Sequence, residues 1–217
     1  MVKPLIIAKP ISPLAANAAK LSIASGVLFV LLLASLHVLE PEFDPTWRFV
    51  SEYALGRLGW MMHLAFLALA TSLASAGIAI FTQVRTVVGY IGLALLGIAA
   101  MGILIAAVFK TDLATTSREA ATFSGKMHVL GASLDYTPIA VLLLSFSLTR
   151  SKAWRPIRKR LFITAGITLF ALTTFMVTLP YDGKIGPWGS SRLVRALPPC
   201  VVYWVGHHGR HSRHQAV

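Results

Sequence analysis

The stretch VVGYIGLALLGIAAMGILIAAVF, residues 87–109, runs without a charge or a proline. A hydrocarbon core about 30 Å thick needs roughly 20 apolar residues at about 1.5 Å each, so this segment alone is long enough to cross one. Similar runs flank it: Leu21 to Leu39 and Trp60 to Phe81 before it, Met127 to Leu148 and Leu161 to Pro180 after it. A sixth, near Leu193 to Gly206, is interrupted by Arg195 and by Pro198 and Pro199, and its insertion is marginal.

Composition agrees with lipid as the solvent. Only 13% of residues are charged against 56% hydrophobic, and mean hydropathy is +0.71; ordinary soluble chains carry about 25% charged residues, enough to cover their own core. The expected fold is therefore all-α, a polytopic transmembrane helix bundle of about six spans and a single membrane domain over 1–217. Residues 1–20 form a short basic segment, 21–206 the bundle, and 207–217 a basic, His-rich tail. Lys3, Lys9 and Lys20 before an apolar run resemble a secretory signal, but the run approaches a full span, so a retained anchor is expected. The net charge of +12 would raise nucleic acid as a partner in a soluble protein. Here its placement points to topology instead, and the expected partners are membrane lipids, with no nucleic acid; protein partners are not legible.

With the N-terminus inside, the inner segments hold Lys3, Lys9, Lys20, Arg85, Arg150, Lys152, Arg155, Arg158, Lys159, Arg160, Arg210 and Arg213, and no acid. Every acid except Asp135 falls on the opposite side. This is the positive-inside pattern, which predicts a multi-pass protein of the cell membrane, N-terminus in, and C-terminus in if the sixth span inserts. The inner strip 149–160, with Trp154, is read as an orientation signal lying against anionic headgroups. The outer connections, Glu40 to Gly59, Lys110 to Lys126 and Tyr181 to Arg192, are longer and richer in polar residues.

Ionisable groups at membrane depth cost about 2.5–3.5 kcal/mol on insertion scales, so the few present single themselves out. His128 and Asp135 are two helical turns apart, with Gly131 and Ala132 between, and a continuous helix would put both on one face. Glu52, Gly56, Gly59 and His63 follow a helical stripe if the second span begins near Val50. Ser51, Glu52, His63, Asp112, His128 and Asp135 are thus expected to converge near the outer leaflet. Imidazoles and carboxylates in that setting bind zinc or relay protons; the plainer reading is that they cap helix ends and pin the packing.

Smaller signals are weaker. Thr116-Ser117-Arg118-Glu119 fits a capping box, which predicts a short surface helix in the second outer loop. Gly89, Gly92, Gly97 and Gly102 are read as close-packing positions of the third span. His207 and His211 share an H-x-x-x-H spacing in the tail, on the predicted inner side. Cys200 is the single cysteine, which rules out an internal disulfide, and no G-x-S-x-G, Walker A, H-E-x-x-H or C-x-x-C occurs.

Three short motifs come in a fixed order: Ser51-Glu52-Tyr53-Ala54-Leu55-Gly56 followed by Gly59-Trp60-Met61; Val108-Phe109-Lys110-Thr111-Asp112; and Ser124-Gly125-Lys126-Met127-His128. Together they resemble the integral membrane family catalogued as domain of unknown function 998, found mainly in bacteria and archaea. The resemblance covers about Leu21 to Pro180, and the region after Tyr181 departs from its pattern. It implies an uncharacterised polytopic membrane protein with Ser51, Asp112 and His128 at the recurrent polar positions. A looser similarity of the Ser, Asp and His order is to membrane hydrolases of the alkaline ceramidase and adiponectin-receptor type, which hold zinc between helices; the paired histidines those proteins add would here fall on the wrong side.

The reading these features favour is a structural, sensing or lipid-binding helical bundle with a polar cluster near the extracytoplasmic face, in which Glu52 and Asp112 touch lipid or substrate. Whether the chain is an enzyme stays open. The first alternative is a zinc-dependent membrane lipid hydrolase, a ceramidase-like amidase with His63 and His128 as metal ligands and Ser51, Asp112 and Asp135 as catalytic groups. The second is a small proton-coupled transporter using Asp135 and His63.

Overall fold

Apolar run length sets the elements, and the turns between them are set by a few capping side chains. The computed structural model describes residues 12–44, 48–117 and 119–178, so the third outer loop, the sixth expected span and the histidine tail lie outside the described residues. Six α-helices follow in chain order: α1 Pro13–Leu39, α2 Gly59–Ile80, α3 Val87–Val108, α4 Phe123–Ser133, α5 Thr137–Leu148 and α6 Arg158–Thr178. Short 3-10 turns occupy Val50–Leu55, Phe81–Gln83 and Arg155–Ile157, and no strand occurs among the described residues. By length and composition, four described helices could cross a membrane: Pro13–Leu39, Gly59–Gln83, Val87–Val108 and Phe123–Leu148, the last counting α4 and α5 together.

The helix α1 begins well before the expected Leu21. Ser12 caps it by accepting the Ala15 N–H at 3.2 Å, with Pro13 pre-set for the first turn. At 27 residues it is about 40 Å long, more than a hydrocarbon core requires. It is fastened to α2 by a reciprocal clasp: the Ser22 hydroxyl donates to the Ser72 carbonyl at 2.9 Å and the Ser72 hydroxyl donates to the Ser22 carbonyl at 2.8 Å. Between apolar helices such bonds supply attraction that hydrophobicity cannot.

The helix α3 is the centre of the bundle, packing against α2, α4 and α5. Its cap, Thr86, accepts the Gly89 N–H at 3.1 Å and donates to the Ser147 hydroxyl of α5 at 2.7 Å. Gly102 of α3 and Gly131 of α4 lie backbone to backbone, and a Cβ on either would stand 2.5 Å from the carbonyl oxygen of the other. At the end of the bundle that carries the 149–157 connection, the basic end, Val84, Leu144 and Leu148 form a small core with Trp154 packed on it.

Two expected helices are interrupted. The stripe from Glu52 to His63 does not form, because Val50–Leu55 is a 3-10 turn and α2 starts only at Gly59. The fourth span breaks at residues 134–136. Pro138 near the start of α5 has no N–H and disfavours helical geometry at the residue before it, while the Asp135 carboxylate accepts the Thr137 N–H at 3.1 Å. The helix therefore ends at Ser133, short of Asp135, leaving His128 buried and Asp135 exposed rather than on one face. The capping-box helix expected at Thr116–Glu119 is also absent from the described residues, where 116–117 are irregular between turns at 114–115 and 119–120, although Ser117 does accept the Ala120 N–H at 3.4 Å.

The glycine crossing gives a direct test. Gly131→Val should lower the melting temperature of the detergent-purified protein sharply, because the added atoms meet fixed α3 backbone. Gly166→Ala, where an added Cβ meets nothing within 4 Å, should leave it unchanged or slightly higher. Fluorescence-detected gel filtration after heating compares the two.

Candidate functional site

The polar residues singled out in the sequence gather mainly at the acidic end of the bundle, where the 40–58 and 109–122 connections lie. The first connection is closed by a residue not anticipated as a site. Glu40 ends α1, is fully buried, and accepts through Oε1 the backbone N–H of Leu58, the cap of α2, at 2.7 Å. A carboxylate at a helix N-terminus is favoured by the helix dipole. Gly56 is required beside it, since a Cβ there would collide with the carboxylate; Oε2 is buried with no hydrogen-bond partner among the described residues. Tyr53, also buried, donates to the Phe43 carbonyl at 3.1 Å and packs against the rings of His37 and Phe43. Burial pushes its phenol above the ordinary range, and the charges of Glu40, Asp44 and Glu42 push it further.

Glu52 joins the two connections. It is 1% exposed; Oε2 pairs with the Arg48 guanidinium at 3.0 Å, and Oε1 accepts the N–H of Phe49 and, from the other loop, that of Ala114, both at 3.3 Å. Asp112 closes the second connection on itself. Its Oδ2 accepts the Thr122 N–H and its Oδ1 the Thr122 hydroxyl, each at 2.8 Å, while the same hydroxyl caps α4 by accepting the Gly125 N–H at 3.0 Å. Ser124 adds a bond to the Lys110 carbonyl at 2.9 Å.

The two histidines converge on the last turn of α3. His63, from α2, donates through Nδ1 to the Ala107 carbonyl at 2.6 Å. His128, from α4 and 4% exposed, donates through Nδ1 to the carbonyls of Phe109 at 2.8 Å and Ala106 at 3.2 Å, with Phe66 edge-on against its ring. A carbonyl only accepts, so Nδ1 carries the proton in both rings and the lone pair of the neutral form sits on Nε2. Helix C-termini leave carbonyls without intrahelical partners, and these imidazoles supply partners from both sides.

The expected cluster is therefore assembled only in part. Glu52, Asp112, His63 and His128 are all tied to the 109–122 connection or to the helix end that leads into it. Ser51 is half-buried in the turn beside Glu52, and among the described residues no hydrogen bond joins it to either histidine. Asp135 is some seven residues, about 10 Å of helix rise, beyond His128, exposed at the break. No group of three His, Cys, Asp or Glu that could hold a metal ion occurs among the described residues. The arrangement latches backbone to backbone. Two partners were missed in the sequence, Glu40 and Thr122. Thr122 carried a readable signal, a hydroxyl residue directly before a helical run; Glu40 did not, because its acceptor geometry depends on a residue eighteen positions on.

Removing the Asp112 side chain should uncouple this latch. Asp112→Ala is expected to destabilise the protein by about 1–3 kcal/mol, the cost of leaving partly buried donors without their charged acceptor, and to speed tryptic cleavage after Lys110 and Lys126. Limited proteolysis read by mass spectrometry measures it.

A family described as Protein of unknown function (DUF998) matches residues 23–205. The match runs past Pro180, so the region after Tyr181, expected to depart from the family pattern, falls within it. No curated protein and no solved structure matches the chain.

Proposed function

From the premise that the chain belongs to the DUF998 family, we propose that it is a multi-pass bundle of the cell membrane with a structural or lipid-binding role, its N-terminus cytoplasmic and its acidic end outward. In this reading α6 serves as the fifth span, and the C-terminus returns inside if the sixth inserts. The observation that carries it is the use made of the ionisable groups at the acidic end. Glu40, Glu52, Asp112, His63 and His128 each bind backbone N–H or C=O groups of a connection or a helix end. A catalytic zinc takes about three protein ligands and an open position, and a hydrolase would further need a group poised on the metal-bound water. Two imidazoles anchored to one helix end favour a fastening role over that chemistry.

Substitution at His128 separates the two. His128→Ala should lower thermal stability, whereas His128→Asn, whose amide N–H can still donate to the Phe109 carbonyl, should recover most of it; zinc in the purified wild type, read by mass spectrometry of the metal, should be well below stoichiometric. One zinc per chain, lost in both variants, would overturn the fastening role and favour the hydrolase.

Orientation is tested by cysteine labelling on a Cys200→Ser background. A membrane-impermeant maleimide should modify Ser117→Cys in intact cells and Ser151→Cys only after lysis, and the reverse pattern would invert the topology.

A further inference from the structure

Resting on that membrane reading, we infer that the groove between the basic-end halves of α1, α2 and α3 seats one acyl chain of an anionic phospholipid from the cytoplasmic leaflet. The cavity has a volume of about 670 Å³ and is lined by Ala15 of α1, Leu73, Gly77 and Phe81 on α2 and its terminal turn, and Leu93 and Gly97 of α3. That volume lies in the range of sites that enclose small organic ligands, about 300–1,000 Å³. From Phe81 to Leu73 the groove extends about 12 Å along α2, less than half of a hydrocarbon core of about 30 Å, so it belongs to one leaflet.

The groove exists because one glycine is not used for packing. Of the glycines in α3, Gly89, Gly92 and Gly102 are pressed against α5 or α4, where an added Cβ would approach other atoms within 3 Å. At Gly97 an added Cβ meets nothing within 4 Å, and at Gly77 across the groove only Leu96 at 3.7 Å. Reading all four α3 glycines as close-packing positions therefore fails at Gly97. A helical glycine facing space leaves a concavity whose walls lack contact partners unless something fills it, and in a bilayer the surrounding medium is acyl chain.

Charge decides which lipid. The groove's end nearest the basic connection carries the polar residues Ser12, Thr82 and Tyr90, and Arg85 in the turn before α3 is exposed at this end. No acid lies on the segments that close it, residues 12–20 and 81–86. A phosphate without a compensating amine matches this cation, whereas a zwitterionic headgroup leaves it without a net counter-charge.

The protein, purified in mild detergent, is incubated with equimolar phosphatidylglycerol and phosphatidylcholine and analysed by native mass spectrometry. The wild type should retain one phosphatidylglycerol. Gly97→Phe, which fills the groove from an open position, should lose it while keeping its helical circular dichroism; if that variant does not fold, Gly97→Leu takes its place. Arg85→Gln should retain a lipid without preference between the two. Equal retention of both lipids by the wild type, or undiminished phosphatidylglycerol on the filled variant, overturns the inference. A wild-type dimer that Gly97→Phe dissociates overturns it in favour of a second copy, and retention appearing only after residues 2–10 are deleted overturns it in favour of that segment. The zinc and labelling readouts are independent of these outcomes, so failure of the lipid site and failure of the membrane reading are told apart.

Discussion

Hydrocarbon offers no hydrogen bonds, so every backbone polar group at the end of a membrane-depth helix must find its partner within the protein. Most of the polar chemistry of this bundle follows from that constraint. The last turn of α3 is capped by Phe109 rather than a glycine; its carbonyls at Ala106, Ala107 and Phe109 are met by imidazoles from the helices on either side. The starts of α2 and α4 are met by Glu40 and by Thr122, the latter held in place by Asp112. Ionisable residues that look like an active centre in one dimension act as capping groups in three.

What was legible in the sequence is what depends on local composition. The apolar runs expected at Trp60 to Phe81 and Val87 to Phe109 match α2 and α3 to within a residue at each end, because the length of an uncharged run is itself the physical requirement. The family was likewise legible from short motifs in order, and its model matches residues 23–205. Illegible were features set by contacts between distant residues. Nothing near Glu52 announces that its carboxylate accepts an N–H from Ala114, and the serine clasp between Ser22 and Ser72 joins residues fifty positions apart. The break before α5 lies between these cases: Asp135 and Pro138 both stood in view, yet the apolar pattern on either side is continuous enough to read as one helix.

That break sets Asp135 apart from the other acids. It lies about 18 Å of helix rise from the start of α4 and a similar distance from the end of α5, near the middle of the pair, which in the proposed membrane reading is where an ionised carboxylate is most expensive. By accepting the Thr137 N–H it occupies a backbone donor that a proline-interrupted helix would otherwise leave open, which is a structural reason for an acid at that depth. Glu40 presents the opposite case: fully buried, at a helix end, with one oxygen bonded and the other pressed toward Gly56. Its position is enforced by packing, and Gly56 is the residue that makes the packing possible.

The two ends of the bundle are consequently closed by different physics. At the acidic end, directional bonds from side chain to backbone fasten each described connection to itself or to a helix end, and Glu52 to Ala114 ties one to the other, so that end has little freedom to reshape around a ligand without breaking several bonds together. At the basic end, closure rests on the small apolar core of Val84, Leu144, Leu148 and Trp154 and on the bond from Thr86 to Ser147, all on the α5 side of α3. The α1 side is left concave, with Gly97 open and Phe81 packed edge-on against Tyr90 at the rim. Apolar contacts are non-directional and tolerate exchange of one hydrocarbon for another, so beyond the serine clasp that fixes α1 to α2 the apolar walls beside Gly97 are where an apolar ligand can be accommodated without disturbing the fold.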